Sequence, residues 1–336
     1  MDNIFKDKTI LVTGGTGSIG SELVAQLLAY EPKQIRIFSR DESKQYYLLE
    51  KLNHPKNIRL LIGDVRDKER LSIAFKNVNY VFHAAAMKHV PLCEYNPVEA
   101  VKTNILGSQN VIDVAIENNV EKVIAISTDK AVKPSNVLGT TKLMMEKLFV
   151  NESYYTSNNR TKLSCVRFGN VLWSRGSVLH LWKNQAEKDS SIKLTNGEMT
   201  RFFMSQAQAV GLILKATQYT QGGEIFILKM PAIQLSYLAE IFIKKYFPDK
   251  KMEIKIIGCR EGEKEHEELV DCNDTNKYIY ENEELYIIVP SNIEVYNAPF
   301  GAEENFYFKH GFKKIDIIEK FCSLDNINHE LIREII

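Results

Sequence analysis

The sequence lacks an excess of either charge, a long apolar run and a paired set of cysteines. Lys plus Arg and Asp plus Glu both number 43, a net charge of zero. That balance gives no electrostatic case for a nucleic-acid binder or a polybasic membrane protein. No segment approaches the ~20 consecutive apolar residues that a membrane span needs. The opening residues through Lys8 contain no apolar core of the signal-peptide kind, so a cytoplasmic location is expected. The five cysteines, Cys93, Cys165, Cys259, Cys272 and Cys322, are odd in number, scattered, and form no CxxC pair. Free thiols are expected, and neither a disulfide scaffold nor a zinc site. His180 and His266 lack ligand spacing to a second His or Cys, so no metal is expected. Repeats, low-complexity tracts and Pro/Ser-rich linkers are also missing.

What is present is the make-up of an ordinary globular chain. Of 336 residues, 44% are apolar and 26% charged, enough for a real core in one large domain or two intimate ones. Short apolar runs recur at Thr9–Val12, Gln34–Phe38, Ile58–Ile62, Tyr80–Phe82, Lys122–Ile126 and Leu163–Phe168. Helical patterns fill the gaps, as at Ser18–Leu28 and Val98–Asn118, where Val101, Ile105, Val111, Ile112 and Ala115 recur on one face. Strands apolar on both faces, alternating with helices, predict an α/β fold: a Rossmann-like doubly wound parallel sheet. The pattern loosens after Gly169. Residues 1–170 are read as the dinucleotide-binding domain, with 205–230 returning to it. Residues 171–204 and 231–336 are read as a smaller interleaved α+β substrate-binding region. Ile317–Ile336 reads as an amphipathic terminal helix, and Trp173 and Trp182 as packing at the junction.

The first apolar run leads into Gly14, Thr16, Gly17, Ser18, Ile19 and Gly20. Three glycines between a strand and a helix permit a tight turn and let backbone N–H groups approach a pyrophosphate at the helix N-terminus. The next strand ends in Ser39, Arg40 and Asp41. In this fold an acidic residue there holds the ribose 2′-hydroxyl of NAD, and an Arg accommodates the 2′-phosphate of NADP. Ser39 and Arg40 favour NADP, with NAD the alternative. Asp64 and Val65 follow the third strand; Asp64 is read either as an acceptor for the adenine amino group or as a helix N-cap.

Ligands of open α/β sheets bind outside the carboxyl ends of the strands. The fourth strand ends in His83 and the small residues Ala84, Ala85 and Ala86, which allow backbone to pack against a cofactor. The fifth ends in Ser127-Thr128-Asp129-Lys130, a hydroxyl, a carboxylate and an ammonium in succession, an acid–base set. Asn104, a poor helix former in mid-helix, marks a kink.

Together these residues match a family. TGGTGSIG, GDVRD, HAAAMKHVP, STDKAVKPSN, RFGNVLWSRGSV, MTRFF and GEK resemble the extended short-chain dehydrogenase/reductases, and within them the inverting UDP-N-acetylglucosamine 4,6-dehydratases. The resemblance runs from about Lys8 to about Leu269. It implies a tightly held, recycled NAD(P) and a substrate such as UDP-N-acetylglucosamine or a similar UDP-hexosamine. The family oxidises C4 of the sugar by hydride transfer, removes the acidified C5 proton, expels water from C6, returns the hydride to C6 and reprotonates C5 from the opposite face. By the same resemblance Thr128 bonds the C4 oxygen, Asp129 protonates the leaving C6 hydroxyl and Lys130 is the base at C5. Asn104 orders a water and the catalytic lysine. Retaining relatives carry Thr-Asp-Glu where this chain has Thr-Asp-Lys. To act as a base Lys130 must fall from a pKa of ~10.4, by burial or a cationic neighbour.

The resemblance also implies ligands for the sugar nucleotide. Arg201 and Arg260 match positions that bind UDP, Glu263 accepts from the nucleoside ribose, and Asn170 holds a phosphate or the sugar. Lys88, Arg175 and Thr195 are further candidates. The product serves surface glycans, and a homo-oligomer, dimer or hexamer, is implied. Two positions depart from the family. Glu261 stands where Pro usually precedes the glycine of the GEK motif. Of the signature Tyr-x-x-x-Lys, Lys142 is present, but the Tyr position holds Leu138, which transfers no proton. Three readings stay open: Asp129, Lys142 or a water on Thr128 replaces the phenol; the chain is a related UDP-sugar epimerase; or it binds NADP and UDP-sugar without catalysis.

Overall fold

Each apolar run expected as a strand forms one: Thr9–Thr13 (β1), Gln34–Ser39 (β2), Ile58–Ile62 (β3), Tyr80–His83 (β4), Lys122–Ile126 (β5) and Lys162–Arg167 (β6). They pair in parallel in the order β3-β2-β1-β4-β5-β6. The order reverses between β1 and β4, and there the doubly wound fold opens a crevice at the strands' carboxyl ends. The computed structural model describes residues 3–155, 160–274, 276–291, 300–315, 321–330 and 336.

Helices Ser18–Leu27 (α1), Glu42–Lys51 (α2), Lys68–Phe75 (α3), Val90–Tyr95 (α4), Pro97–Ala100 (α5), Gly107–Glu117 (α6) and Val137–Tyr155 (α7) fill the first half. Strand alternation divides the core between the two faces of the sheet. Ile10 and Val12 of β1 pack with Leu23, Val24 and Leu27 of α1, while Leu11 between them packs with Phe75, Val111 and Ile112 on the other face. Each such fully buried side chain contributes roughly 1.5–3 kcal/mol. The helix expected over Val98–Asn118 is interrupted: α5 passes through a π-helical turn, Val101–Leu106, before α6. That wide turn carries Asn104.

The second half runs Asn170–Val171 (β7), Val178–Asp189 (α8), Ser191–Leu194 (β8), Thr200–Met204 (β9), Gln206–Tyr219 (α9), Ile225–Leu228 (β10), Ala232–Gln234 (β11), Leu235–Tyr246 (α10), Glu253–Ile256 (β12), Lys277–Glu281 (β13), Leu285–Pro290 (β14), Phe300–Lys309 (α11) and Lys313–Ile315 (β15). Helix α9, opened by a Ser205/Gln208 capping box, packs beside α1, and β10 pairs in parallel with β6. Strands β14, β13 and β15 continue the sheet antiparallel, giving ten strands among the described residues. The segment after 231 therefore also supplies the edge of the main sheet. Two small sheets, β11-β9-β7 and β12-β8, sit on a separate core of Leu179, Trp182, Ile192, Leu194, Phe203, Leu238 and Phe242. Trp173 packs edge-on against His180 and Tyr246.

Over residues 321–328 the chain end differs from the expected helix, while residues 329–330 are helical. Cys322 bridges to Glu268 and Ile327 to Ala232, with a 3-10 turn, Ser323–Asn326, between them. Ser323 is buried because its hydroxyl ties Thr200 and the Glu267 amide together, which an amphipathic helix surface would not allow. Residues 317–320 and 331–335 of that expectation lie outside the described residues. Among the described residues no helix is long and apolar enough to cross a membrane, and no His/Cys/Asp/Glu group is placed to hold a metal ion.

Candidate active site

A cavity of about 870 Å³ opens along the carboxyl ends of the central strands. One wall is the glycine loop. Gly14 takes φ +66°, and a Cβ there would lie 2.6 Å from the Ala85 amide nitrogen. A Cβ on Gly20 would lie 2.4 Å from the Gly14 carbonyl oxygen, so the helix could not close on the turn. Gly17 caps α1 without a side-chain bond, which leaves the first-turn N–H groups of Ser18, Ile19 and Gly20 without a helical partner. Thr16, Val65, Ala84, Ala85 and Ala86 complete the surface. Ser127, 3% exposed on the same wall, has a hydroxyl with no partner among the described residues. A narrow cradle, free amides and an unpaired hydroxyl fit a dinucleotide diphosphate.

The second strand end resolves into separate tasks. The Asp41 carboxylate caps α2 by accepting from the Lys44 amide, and Lys44 Nζ also binds it. Ser39 Oγ accepts from Gln45. Arg40, well exposed, lies 3.7 Å from Asp64 and keeps free donors toward the cavity. Asp64 is not the N-cap of α3; Asp67 is, accepting from the Arg70 amide. The Asp64 carboxylate binds the Arg66 amide and guanidinium instead.

Thr128 and Lys130 face the cavity, but Asp129 does not: the 3-10 turn after β5 buries it completely, its amide donating to the Phe168 carbonyl oxygen. Asp129 reaches the cavity through its neighbours. Its Oδ1 accepts from Thr128 Oγ1 at 2.9 Å and from Lys130 Nζ at 3.0 Å. Its Oδ2 is buried without a partner among the described residues. Lys130 Nζ also meets Glu267 Oε1 and Asn170 Oδ1, each at 3.4 Å. Burial pushes Lys130 down and Arg201 adds to that, but the carboxylates of Asp129 and Glu267 outweigh both and hold it above the usual lysine value. The two carboxylates thus move Lys130 in the direction opposite to the one expected. Sequence reasoning missed Glu267. Its local signal is weak: Glu267 is buried between His266 and Glu268, which are only partly so, two residues before buried Leu269.

Two lysines on the cavity wall are depressed, Lys88 and Lys142, both mainly by burial. Lys142 falls to about 8. Its Nζ donates to the Ile126 carbonyl oxygen at 2.7 Å, and it lies on the cavity wall. Leu138, one turn earlier on α7, packs with Cys93 and Ala100 at the rim. Asn104, expected among the catalytic groups, is a brace: Oδ1 accepts from the Met87 amide, and Nδ2 donates to the Met87 carbonyl and Thr141. With its amide fully engaged and 1% exposed, Asn104 is not brought to the cavity. Buried His83, between Thr13 and Ser108, is lowered to about 3 by burial and stays neutral.

The sugar-nucleotide candidates fall into two groups. Lys88, Asn170, Arg260 and Glu263 line the main cavity. Asn170, Arg260 and Glu263 also border a side cavity of about 230 Å³ that holds Thr195 and Arg201. Arg260 is half-exposed with its guanidinium 3.9 Å from Glu263. Arg201 is different: its terminal nitrogens donate to the carbonyls of Thr200, Glu265 and Lys264, leaving little of the fork for a phosphate. Arg175 lies over the glycine loop, its amide on Ser18 Oγ and its guanidinium on the Thr16 carbonyl, and so stands on the dinucleotide side.

The chain is similar to several known proteins. A family model described as polysaccharide biosynthesis protein matches residues 10–290. An inverting UDP-N-acetylglucosamine 4,6-dehydratase of Campylobacter jejuni is 46% identical over 86% of this chain and 84% of its own. An uncharacterized membrane protein of Methanocaldococcus jannaschii is 49% identical over 94% and 97%. A UDP-glucose 4-epimerase of Rickettsia rickettsii is 41% identical over 99% and 96%. Among solved structures, Pen from Bacillus thuringiensis superposes with a TM-score of 0.86 at 40% identity, covering 98% of each chain.

Proposed function

The chain belongs to the polysaccharide biosynthesis protein family of extended short-chain dehydrogenase/reductases, and from that membership we propose that it is an inverting UDP-N-acetylglucosamine 4,6-dehydratase, a lyase. The carrying observation is the single cavity shared by the glycine loop, Thr128 and Lys130, and the Arg260–Glu263 pair. It lets a dinucleotide, an acid–base set and a nucleoside diphosphate meet. The cofactor is NADP, held at Gly14–Gly20 and Ala84–Ala86, with Arg40 toward the 2′-phosphate and Ser127 free to donate. Bound there, the cofactor would supply the acceptor and donor for hydride at C4 and C6 of the sugar.

The chain's own groups handle the protons. Lys142, neutral above about pH 8, takes the C4 hydroxyl proton that a phenol takes in relatives with Tyr. Across the 3.0 Å Lys130–Asp129 bond, one proton shift makes a neutral amine and a carboxylic acid together. The amine of Lys130 then removes the C5 proton. Asp129 passes its proton through Thr128 Oγ1 to the C6 hydroxyl, which departs as water. This route gives buried Asp129 a place in the reaction without contact with the sugar. Residues 1–170 with 205–230 serve the cofactor, and 171–204 with 231–336 the sugar nucleotide, apart from Arg175 and the edge strands. The protein acts in the cytoplasm, which suits its free cysteines, as a homo-oligomer making a precursor for surface glycans.

The test is direct. The purified protein is mixed with UDP-N-acetylglucosamine without added cofactor, and the sugar nucleotide is followed by mass. Loss of one water is expected, with the C5 configuration inverted by NMR. An isomer of equal mass would mean an epimerase. Tight binding with unchanged mass would mean a non-catalytic binder.

A further inference from the structure

Resting on the dehydratase reading, we propose that Glu267 is a positioning residue that holds Lys130 Nζ against the cavity wall and sets how readily Lys130 gives up its proton, to Asp129 or to solvent. Asp129 and Glu267 are both buried, and a single ammonium stands between them. Each carboxylate has one oxygen on or near that ammonium and one oxygen with no partner among the described residues. A structural ion pair needs one carboxylate for one ammonium, and an unpaired buried oxygen costs free energy. The second carboxylate is therefore a destabilising feature that packing does not explain.

The placement of Glu267 is built. Its amide donates to Ser323 Oγ at 2.9 Å, and that hydroxyl also meets Thr200 of β9. Glu268, the next residue, turns the other way to Lys133. The backbone thus fixes Glu267 facing inward, whatever its side chain. The charges that act on Lys130 come from three directions: Asp129 on its own turn, Glu267 from the segment bridged to Cys322, and Arg201 on β9; Arg167 on β6 acts in turn on Asp129. Of these, Glu267 is the carboxylate that can tune Lys130 without itself delivering a proton to the sugar. Its negative charge favours the ammonium and so opposes the arming shift toward Asp129.

The experiment compares Glu267→Gln and Glu267→Asp with the wild type. Removing the charge makes Lys130 easier to deprotonate. For Glu267→Gln the rising limb of C5 solvent-deuterium exchange against pH is expected to move down by about one pH unit or more. KM for UDP-N-acetylglucosamine is expected to stay within about twofold, since Glu267 does not line the cavity. Glu267→Asp keeps the charge but withdraws it by a methylene, and is expected to move the limb a smaller distance the same way. If Glu267→Gln does not fold, the aspartate variant alone carries the test. A second readout uses no substrate: the pH midpoint of Lys130 acetylation, read by peptide mass. Movement of that midpoint supports Glu267 even if the wild type fails to dehydrate the sugar nucleotide, which would sink the dehydratase reading alone. An unmoved midpoint and superimposable limbs overturn the proposal.

Discussion

Lys142 Nζ donates to the Ile126 carbonyl oxygen at 2.7 Å, tying α7 to the end of β5 two residues before Thr128. The consequence is a division of labour between two lysines. Lys130 has carboxylates on two sides and is kept charged. Lys142 has Glu146 and two thiols at longer range, too little to offset its burial, and falls to about 8. The lysine brought to about 8 is the one a single helical turn from the missing phenol.

Lys142→Met is therefore expected to reduce kcat by about 10²–10⁴, the usual worth of a general base. In the wild type the corresponding limb should rise with pH through about 8. Leu138→Met should leave both kcat and the limb unchanged, since neither side chain carries a proton and the volume change is small. Steady-state profiles of the three proteins check this.

The same lysine makes stability depend on pH. Its folded value lies below its unfolded one, so between about pH 8 and 10.5 the unfolded chain binds more proton. Its contribution to stability is therefore lowest below pH 8 and recovers as pH rises through that window. The deficit is on the order of 3–4 kcal/mol, since each pH unit separating the folded and unfolded values is worth ~1.4 kcal/mol. Lys142→Met should melt higher than the wild type at pH 7, and the gap should close toward pH 10.5 in calorimetry. A gap independent of pH would show that Lys142 is not buried as an amine.

Local signals carried the fold and the glycine loop. β1 alternates between two cores, and the residue identities Ile10, Leu11 and Val12 were enough to place it. Thr128 and Lys130 were legible because they follow a strand at the fold's ligand edge. What was not legible depends on distant partners. Glu267 lies in a run of acidic residues that reads as a solvated surface, until Lys130, 137 positions earlier, is found beside it. Arg201 looked like a phosphate fork because its engagement with the carbonyls of Glu265 and Lys264 is set by a sheet contact. Asn104 announced a helix defect, but not that Met87 and Thr141 would use its whole amide.

The two arginines of the sugar-nucleotide side should separate by measurement. Arg201→Ala removes donors from three carbonyls inside the fold, a loss on the order of 2–4 kcal/mol, and should lower the melting temperature and UDP affinity together. Arg260→Ala removes a half-exposed side chain, so stability should change by less than about 0.5 kcal/mol. Its KM for the UDP-sugar should rise by about tenfold or more, the worth of a charge-assisted hydrogen bond. Equal melting temperatures for the two variants would contradict the assignment of Arg201 to the scaffold.

Cofactor choice turns on the end of β2. Asp41 cannot readily serve a ribose 2′-hydroxyl, because its carboxylate already caps α2 and binds Lys44. Ser39 is committed as an acceptor to Gln45. Arg40 remains, with Asp64 only at 3.7 Å, as a cation with donors to spare. A 2′-phosphate satisfies it; a 2′-hydroxyl leaves it unmatched. Nucleotide released from the heat-denatured wild type should therefore be NADP. Arg40→Ala should be isolated with less NADP and a larger share of NAD or empty sites, while its melting temperature without nucleotide stays that of the wild type. If the wild type releases NAD and Arg40→Ala does the same, Arg40 is a solvated loop charge and the 2′-phosphate assignment fails.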